Sequence, residues 1–182
     1  RGNISSELEA CFQVLRPDFV LAAPAFPAMG RRLRDGRLYI GDEPGADAAP
    51  LLSGDTGRTC GKIGLDIVRA GWEAVAAEAE RLHGQGHTLL LLDGWQEADL
   101  ETAARAVLRL GRRCLPAGSA GLADHLAALM AGEWSEPPGG GAIPSVPAGR
   151  LMVVVGSRHP ATVAQVRRLR ETLPLGTYLL PV

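Results

Sequence analysis

Two kinds of local arrangement in this sequence could do chemistry: arginines placed beside helix starts or sheet edges, and Gly-Ser turns that follow apolar runs. The run Val153-Val154-Val155 ends at Gly156-Ser157 and leads through Arg158-His159-Pro160 into a helical pattern containing Thr162, Gln165 and Val166. Open parallel sheets present phosphate to a helix N-terminus in this way, because the unpaired N–H groups and the helix dipole favour an anion there. Gly118-Ser119 repeats the arrangement at an earlier junction, and each such turn, taken alone, also reads as a plain N-cap. Arg1, in Arg1-Gly2-Asn3, directly precedes a helix start, so its guanidinium and the helix amides together suit a carboxylate or phosphate. The competing reading of that residue is a frayed terminus. Pro24-Ala25-Phe26-Pro27-Ala28-Met29-Gly30-Arg31 leaves the end of a strand and is expected to place Arg31 on a loop at the carboxyl edge of the sheet, where open α/β sheets bind ligands; the alternative is a solvated arginine on a rigid connection.

Other candidate motifs fail on their own spacing. Gly54 to Lys62 superficially suggests a P-loop, but Thr56 stands at the position of the first required glycine and Ile63 replaces the hydroxyl residue that would hold Mg²⁺. His83 and His87 have i,i+4 spacing, yet Gly84 and Gly86 lie between them, which disfavours a helix presenting both to a metal. No metal site is expected. Cys11, Cys60 and Cys114 are odd in number and widely spaced, which suits neither a disulfide framework nor a zinc knuckle, so they read as reduced, buried thiols.

The elements that must hold these residues follow from periodicity. Leu8, Cys11, Phe12 and Leu15 fall at helical spacing after Asn3 or Ser5 as N-cap, and Pro17 ends that helix. Strands are expected at Phe19 to Ala23, Lys62 to Ile67, Thr88 to Leu92 and Cys114 to Ala117. Helices are expected from Gly71 to His83, Ala98 to Leu110 and Ser119 to Met130. Pro24 to Gly57 is rich in Pro, Gly and Asp and reads as a long connection, with only Arg37 to Ile40 strand-like. Apolar strands alternating with helices imply an α/β fold, with a mostly parallel sheet and flanking helices. The Pro- and Gly-rich stretch 133–150 has linker composition, so a boundary is expected there, followed by a strand Leu151 to Val155, a helix Ala161 to Leu173 and a strand Thr177 to Leu180.

Composition narrows the partners. The 182 residues are 46% hydrophobic and 21% charged with a formal net charge of −1, which suits a globular core and supplies no overall field for nucleic acid or an anionic membrane surface. The apolar stretches fall well short of the roughly 20 residues a helix needs to span a bilayer, and no signal segment opens the chain, so a cytoplasmic location is the expectation. The opening on Arg1 reads as a chain cut from something longer.

Jointly, Arg1-Gly2-Asn3, Ala23 to Arg31, Asp35-Gly36-Arg37-Leu38-Tyr39, Leu92-Asp93-Gly94 with Asp99-Leu100, Gly118-Ser119-Ala120-Gly121-Leu122-Ala123, and Gly156-Ser157 with Thr162 and Gln165 resemble the middle of the four-carbon acid sugar kinase family. The resemblance runs from Arg1 to Gln165. It implies two α/β domains with the active site between them. Residues 1–132 would be the later part of an acid-sugar-binding domain, 133–150 a linker and 151–182 the start of a nucleotide-binding domain. It further implies ATP-dependent phosphorylation, with Mg²⁺, of a tetronate such as threonate, erythronate or a 3-oxo relative. Arg1, Gly2, Asn3 and Arg31 would contact the acid sugar, and Gly156, Ser157 and His159 the nucleotide. His159 stands where the family often has a second serine. The family's Asp-Asp-x-Thr-Gly-type segment would lie upstream of Arg1 and its glycine-rich nucleotide loops downstream of Val182, so the 182 residues alone are expected to be inactive, with pairing of two copies left open. The competing class is a non-catalytic small-molecule-binding α/β module, because a fold does not decide a function.

Overall fold

The computed structural model describes residues 3–131, 152–157 and 160–173. The elements run α1 (Ile4–Leu15), β1 (Phe19–Ala23), β2 (Arg31–Arg34), β3 (Arg37–Ile40), β4 (Glu43–Asp47), α2 (Ala48–Ser53), β5 (Cys60–Ile63), α3 (Leu65–Arg69), α4 (Trp72–Gly84), β6 (Leu89–Leu92), α5 (Glu97–Leu110), β7 (Cys114–Gly118), α6 (Ala120–Met130) and α7 (Pro160–Thr172). The chain divides into two units, Arg1–Pro137 and Pro138–Val182.

The first unit is built on a four-stranded parallel sheet in the order β5-β6-β1-β7. Strand β1 is buried at every position, as is the Leu89–Leu92 run of β6. Both strands are covered on both faces, which is why they read as continuous apolar runs rather than alternating ones. Pro116 lies in β7, at the sheet margin, where a missing N–H is tolerated. Helix α5 buries Leu100, Ala103, Ala104, Ala106, Val107 and Leu110 at helical spacing and packs against α3, α4 and α6 as well as β1 and β7. Among the described residues no helix is long and apolar enough to cross a membrane.

Helix α1 fully buries no residue; Leu8 and Phe12 pack partly buried against the core, and polar contacts hold the helix as well. Arg58 donates from Nε to Glu9 Oε2 at 2.7 Å and from Nη1 to Thr88 Oγ1 at 3.3 Å, and its guanidinium lies 3.5 Å from the Phe12 ring centroid. The Arg58 hydrogen bond holds the Glu9 carboxyl below its ordinary range.

Three sequence expectations change. The connection from Pro24 to Gly57 contains an antiparallel meander, β2-β3-β4, and the helix α2. The strand expected at Lys62 to Ile67 lies at Cys60–Ile63. Ile67 and Val68 belong to α3, where burial of Val68 outweighs the strand preference of β-branched residues. In the second unit α7 occupies the expected place, whereas Met152 to Val155 forms no strand within the described residues and leaves Met152 82% exposed. A β-strand needs a partner for its backbone groups, and the expected strand Thr177 to Leu180 lies outside the described residues, as does the 133–150 stretch.

Candidate functional site

The exits of β1, β6 and β7 open at the carboxyl edge of the parallel sheet, and the meander is fastened across that edge. Leu33 N–H donates to the Gly94 carbonyl at 2.7 Å, and Gly94 N–H returns to Leu33 O at 3.0 Å. Immediately before it, the Asp93 carboxylate accepts from Asp35 N–H at 2.6 Å and from Gly36 N–H at 3.0 Å. Both donors come from a two-residue hairpin turn with φ of 53° at Asp35 and 76° at Gly36, the left-handed pair for which Asp-Gly is suited. Burial pushes the Asp93 carboxyl above its ordinary range, and the two N–H bonds pull against that shift without cancelling it. Lys62 Nζ donates to Asp35 O at 3.2 Å and stands 3.9 Å from Asp47 Oδ2, which adds a cation at the same turn.

The segment from Ala25 to Arg31 is held at both ends and in the middle. Ser119 Oγ donates to Ala25 O and accepts from Gly121 N–H at 3.1 Å, so this Gly-Ser turn acts as the N-cap of α6. Phe26 and Arg31 exchange backbone hydrogen bonds at 2.7 and 3.0 Å around a 3-10 turn at Pro27–Met29. At the centre of that turn Ala28 N–H donates to Glu97 Oε1 at 2.7 Å. The other oxygen of Glu97 lies 3.2 Å from His125 Nε2 on α6.

Cations and aromatics line the outer side of the edge. The Arg32 and Arg34 guanidiniums lie 5.1 and 4.7 Å from the Trp95 ring centroid, and Tyr39 meets Trp95 edge-on at 5.3 Å. Arg31 is exposed, with its guanidinium 5.8 Å from the Phe26 ring. An exposed guanidinium on an immobilised backbone is suited to a bidentate hold on a carboxylate. Asp99, although buried, accepts from Trp95 and Gln96 N–H at 2.8 and 3.0 Å in the capping box of α5 and is thereby committed to the helix start.

Four of the sequence motifs, Ala23 to Arg31, Asp35 to Tyr39, Leu92 to Gly94 and Gly118 to Ala123, therefore meet at one sheet edge. Arg31 opens strand β2 rather than sitting on a free loop, because its backbone pairs with Phe26. Asn3 is the N-cap residue of α1, where its carbonyl accepts from Glu7 N–H at 2.9 Å and its side chain makes no cap bond. Arg1, Gly2 and His159 lie outside the described residues. In the second unit Gly156 and Ser157 are exposed, and Thr162 Oγ1 donates to Ser157 Oγ at 3.3 Å. A cleft of about 600 Å³ there is lined by Val155, Ser157, Val163, Val166, Arg167 and Arg170, among others. The polar groups of that cleft are the Ser157 hydroxyl, the Arg167 and Arg170 guanidiniums and the Glu171 carboxylate. Among the described residues no three His, Cys, Asp or Glu side chains gather as a metal site.

Sequence reasoning did not find the roles of Lys62, Glu97 or His125. The Asp35-Gly36 dipeptide could have revealed the hairpin, but nothing local pairs Glu97 with Ala28.

The molecule resembles known proteins in both sequence and fold. A D-threonate kinase of Bordetella bronchiseptica is 32% identical over 176 residues, covering 94% of this chain and 40% of the relative. A 3-oxo-tetronate kinase of Pseudomonas fluorescens is 35% identical over 182 residues, covering 91% and 41%. The crystal structure of a Haemophilus influenzae protein superposes with a TM-score of 0.66 at 25% identity, covering 72% of this chain and 35% of that one. A Bordetella bronchiseptica protein crystallised with citrate as a domain-swapped dimer gives 0.58 at 28%, covering 94% and 42%. The chain thus spans about two fifths of the length of these curated relatives. Residues 1–126 match the model of a sugar-binding N-terminal domain, and the chain belongs to that sugar-binding domain family.

Proposed function

We propose that this chain supplies the acid-sugar-binding part of an ATP-dependent kinase that phosphorylates a four-carbon acid sugar such as threonate, erythronate or a 3-oxo-tetronate. The observation that carries the reading is the identity, over nine tenths of the chain, to relatives named as kinases of such acids. Arg1, with Gly2 and Asn3, pairs with the substrate carboxylate, and Arg31 contacts the acid sugar at the sheet edge. Gly156, Ser157 and His159 face the nucleotide. Mg²⁺ would neutralise charge on the ATP phosphates, and no described residue of this chain is assigned to it. Turnover needs the remaining length that the relatives possess, because phosphoryl transfer depends on positioning both substrates and neutralising charge. A cytoplasmic location and pairing of two copies belong to the same proposal.

The test is a coupled ADP-release assay with ATP, Mg²⁺ and D-threonate, D-erythronate or a 3-oxo-tetronate. Turnover is expected from the protein at the full length of its relatives and not from residues 1–182 alone. Turnover by the 182 residues overturns the second statement. Acid-sugar binding without turnover at full length favours a non-catalytic binding module, and inertness towards every tetronate overturns the reading altogether.

A further inference from the structure

Arg31 has no rigid element of its own before it. Its backbone is set on one side by β2, where it pairs opposite Ile40 of β3, and on the other by the turn Pro27–Met29 and Gly30, whose φ is 69°. That turn is fixed from a different part of the chain: Ala28 N–H donates to Glu97 Oε1 at 2.7 Å across 69 residues. Glu97 is itself fixed twice, as the first residue of α5 and by His125 Nε2 at 3.2 Å from its second oxygen. One carboxylate therefore joins three elements: the Arg31-bearing turn, α5 and α6. Helix capping does not require this bond, because the start of α5 is already capped by Gln96 and Asp99.

We propose that Glu97 is a positioning residue for the acid-sugar site, a clamp that sets the Ala28 turn and through it Arg31, with His125 orienting the carboxylate. The clamp's value to binding rests on the reading of Arg31 given above. Glu97 does not touch the substrate. It removes, before binding, the freedom that the Arg31 backbone would otherwise lose on binding.

The experiment uses the full-length protein with three variants and two measurements, amide exchange at Ala28 and affinity for D-threonate and D-erythronate by calorimetry. Glu97→Asp keeps a negative charge at the start of α5 but withdraws the carboxylate by one methylene. Ala28 exchange should then rise about tenfold or more, the scale of losing a hydrogen bond to a charged group, and acid-sugar affinity should fall by a similar factor. Glu97→Gln keeps the length and an acceptor oxygen and should recover most of both, a rescue that a role in helix charge alone would not give. Arg31→Ala tests the underlying reading and should abolish measurable binding. If Arg31→Ala abolishes binding while Glu97→Asp leaves affinity unchanged, the clamp is overturned and the function stands. If Arg31→Ala leaves affinity unchanged, the substrate role of Arg31 is overturned, and the clamp's role in binding with it. Should Glu97→Asp fail to fold, His125→Ala takes its place in both measurements. It should show the same two changes at smaller size, and wild-type values in both overturn the proposal.

Discussion

The Asp93 carboxylate, at the end of a fully buried strand, receives the N–H groups of Asp35 and Gly36 from a turn 58 and 57 residues earlier in the chain. This one side chain fastens the meander to the parallel sheet. Because burial raises its pKa, the folded protein keeps the proton at pH values where the unfolded chain has already released it. The stability linked to this proton is fully present below the unfolded carboxylate value and is lost as pH rises through the folded one. Asp93→Asn cannot titrate, so that limb should be missing from the variant and should appear in the difference between wild-type and variant stability. The variant should also be about 1–3 kcal/mol less stable, because one of the two N–H groups loses its acceptor. Urea unfolding over a pH series reads both effects, and a variant whose pH dependence matches the wild type contradicts the assignment.

Gly36 is required for two separable reasons. Its φ of 76° strains any side chain, and an added Cβ would lie 2.7 Å from Lys62 Cε and Nζ, forcing the amine off Asp35 O. Gly36→Ala should cost about 1–3 kcal/mol, which for a chain of this size lowers the melting temperature by about 2–4 °C for each kcal/mol. Gly41→Ala has a φ of 62° and no atom within 4 Å of the new Cβ, so it reports backbone strain alone. Equal losses for the two variants would remove Lys62 from the account.

Thiol labelling should follow burial. Of the three thiols expected to be buried only Cys114 is fully so: Cys11, on a helix that fully buries no residue, is exposed, burial raises the half-buried Cys60 thiol, and burial pushes Cys114 up to about 12. Iodoacetamide at mildly alkaline pH should modify Cys11 first, Cys60 more slowly and Cys114 only on unfolding, since the thiolate is the reacting species. Peptide mass spectrometry resolves the order, and native Cys114 reacting as fast as Cys11 would reverse it.

The sheet was legible where one physical signal decided the outcome. Phe19 to Ala23 and Leu89 to Leu92 are apolar runs of strand length, and the burial spacing of α5 is the spacing of its leucines and alanines. The meander was not, because Arg31-Arg32-Leu33-Arg34 places one apolar residue among three arginines and shows no alternating pattern of its own. Leu33 is buried in the core, and its backbone pairs with Gly94, 61 residues later in the chain. The Glu97 clamp was equally hidden. A carboxylate in a first helical turn reads as a helix-dipole contact, and its partners Ala28 and His125 lie on other elements.

The strand order carries a consequence for synthesis. Among the described strands of the parallel sheet β1 comes first in sequence, yet it lies inside the order, and its ladder partners begin at Leu89 and Cys114, the latter about 95 residues later. At ribosomal rates of about 5–20 residues per second, roughly 5–20 s pass before both of these ladder partners of the Phe19–Ala23 segment have been made. During that interval it is a ready substrate for hydrophobic capture by chaperones, and the sheet closes around it only after β7 has left the ribosome.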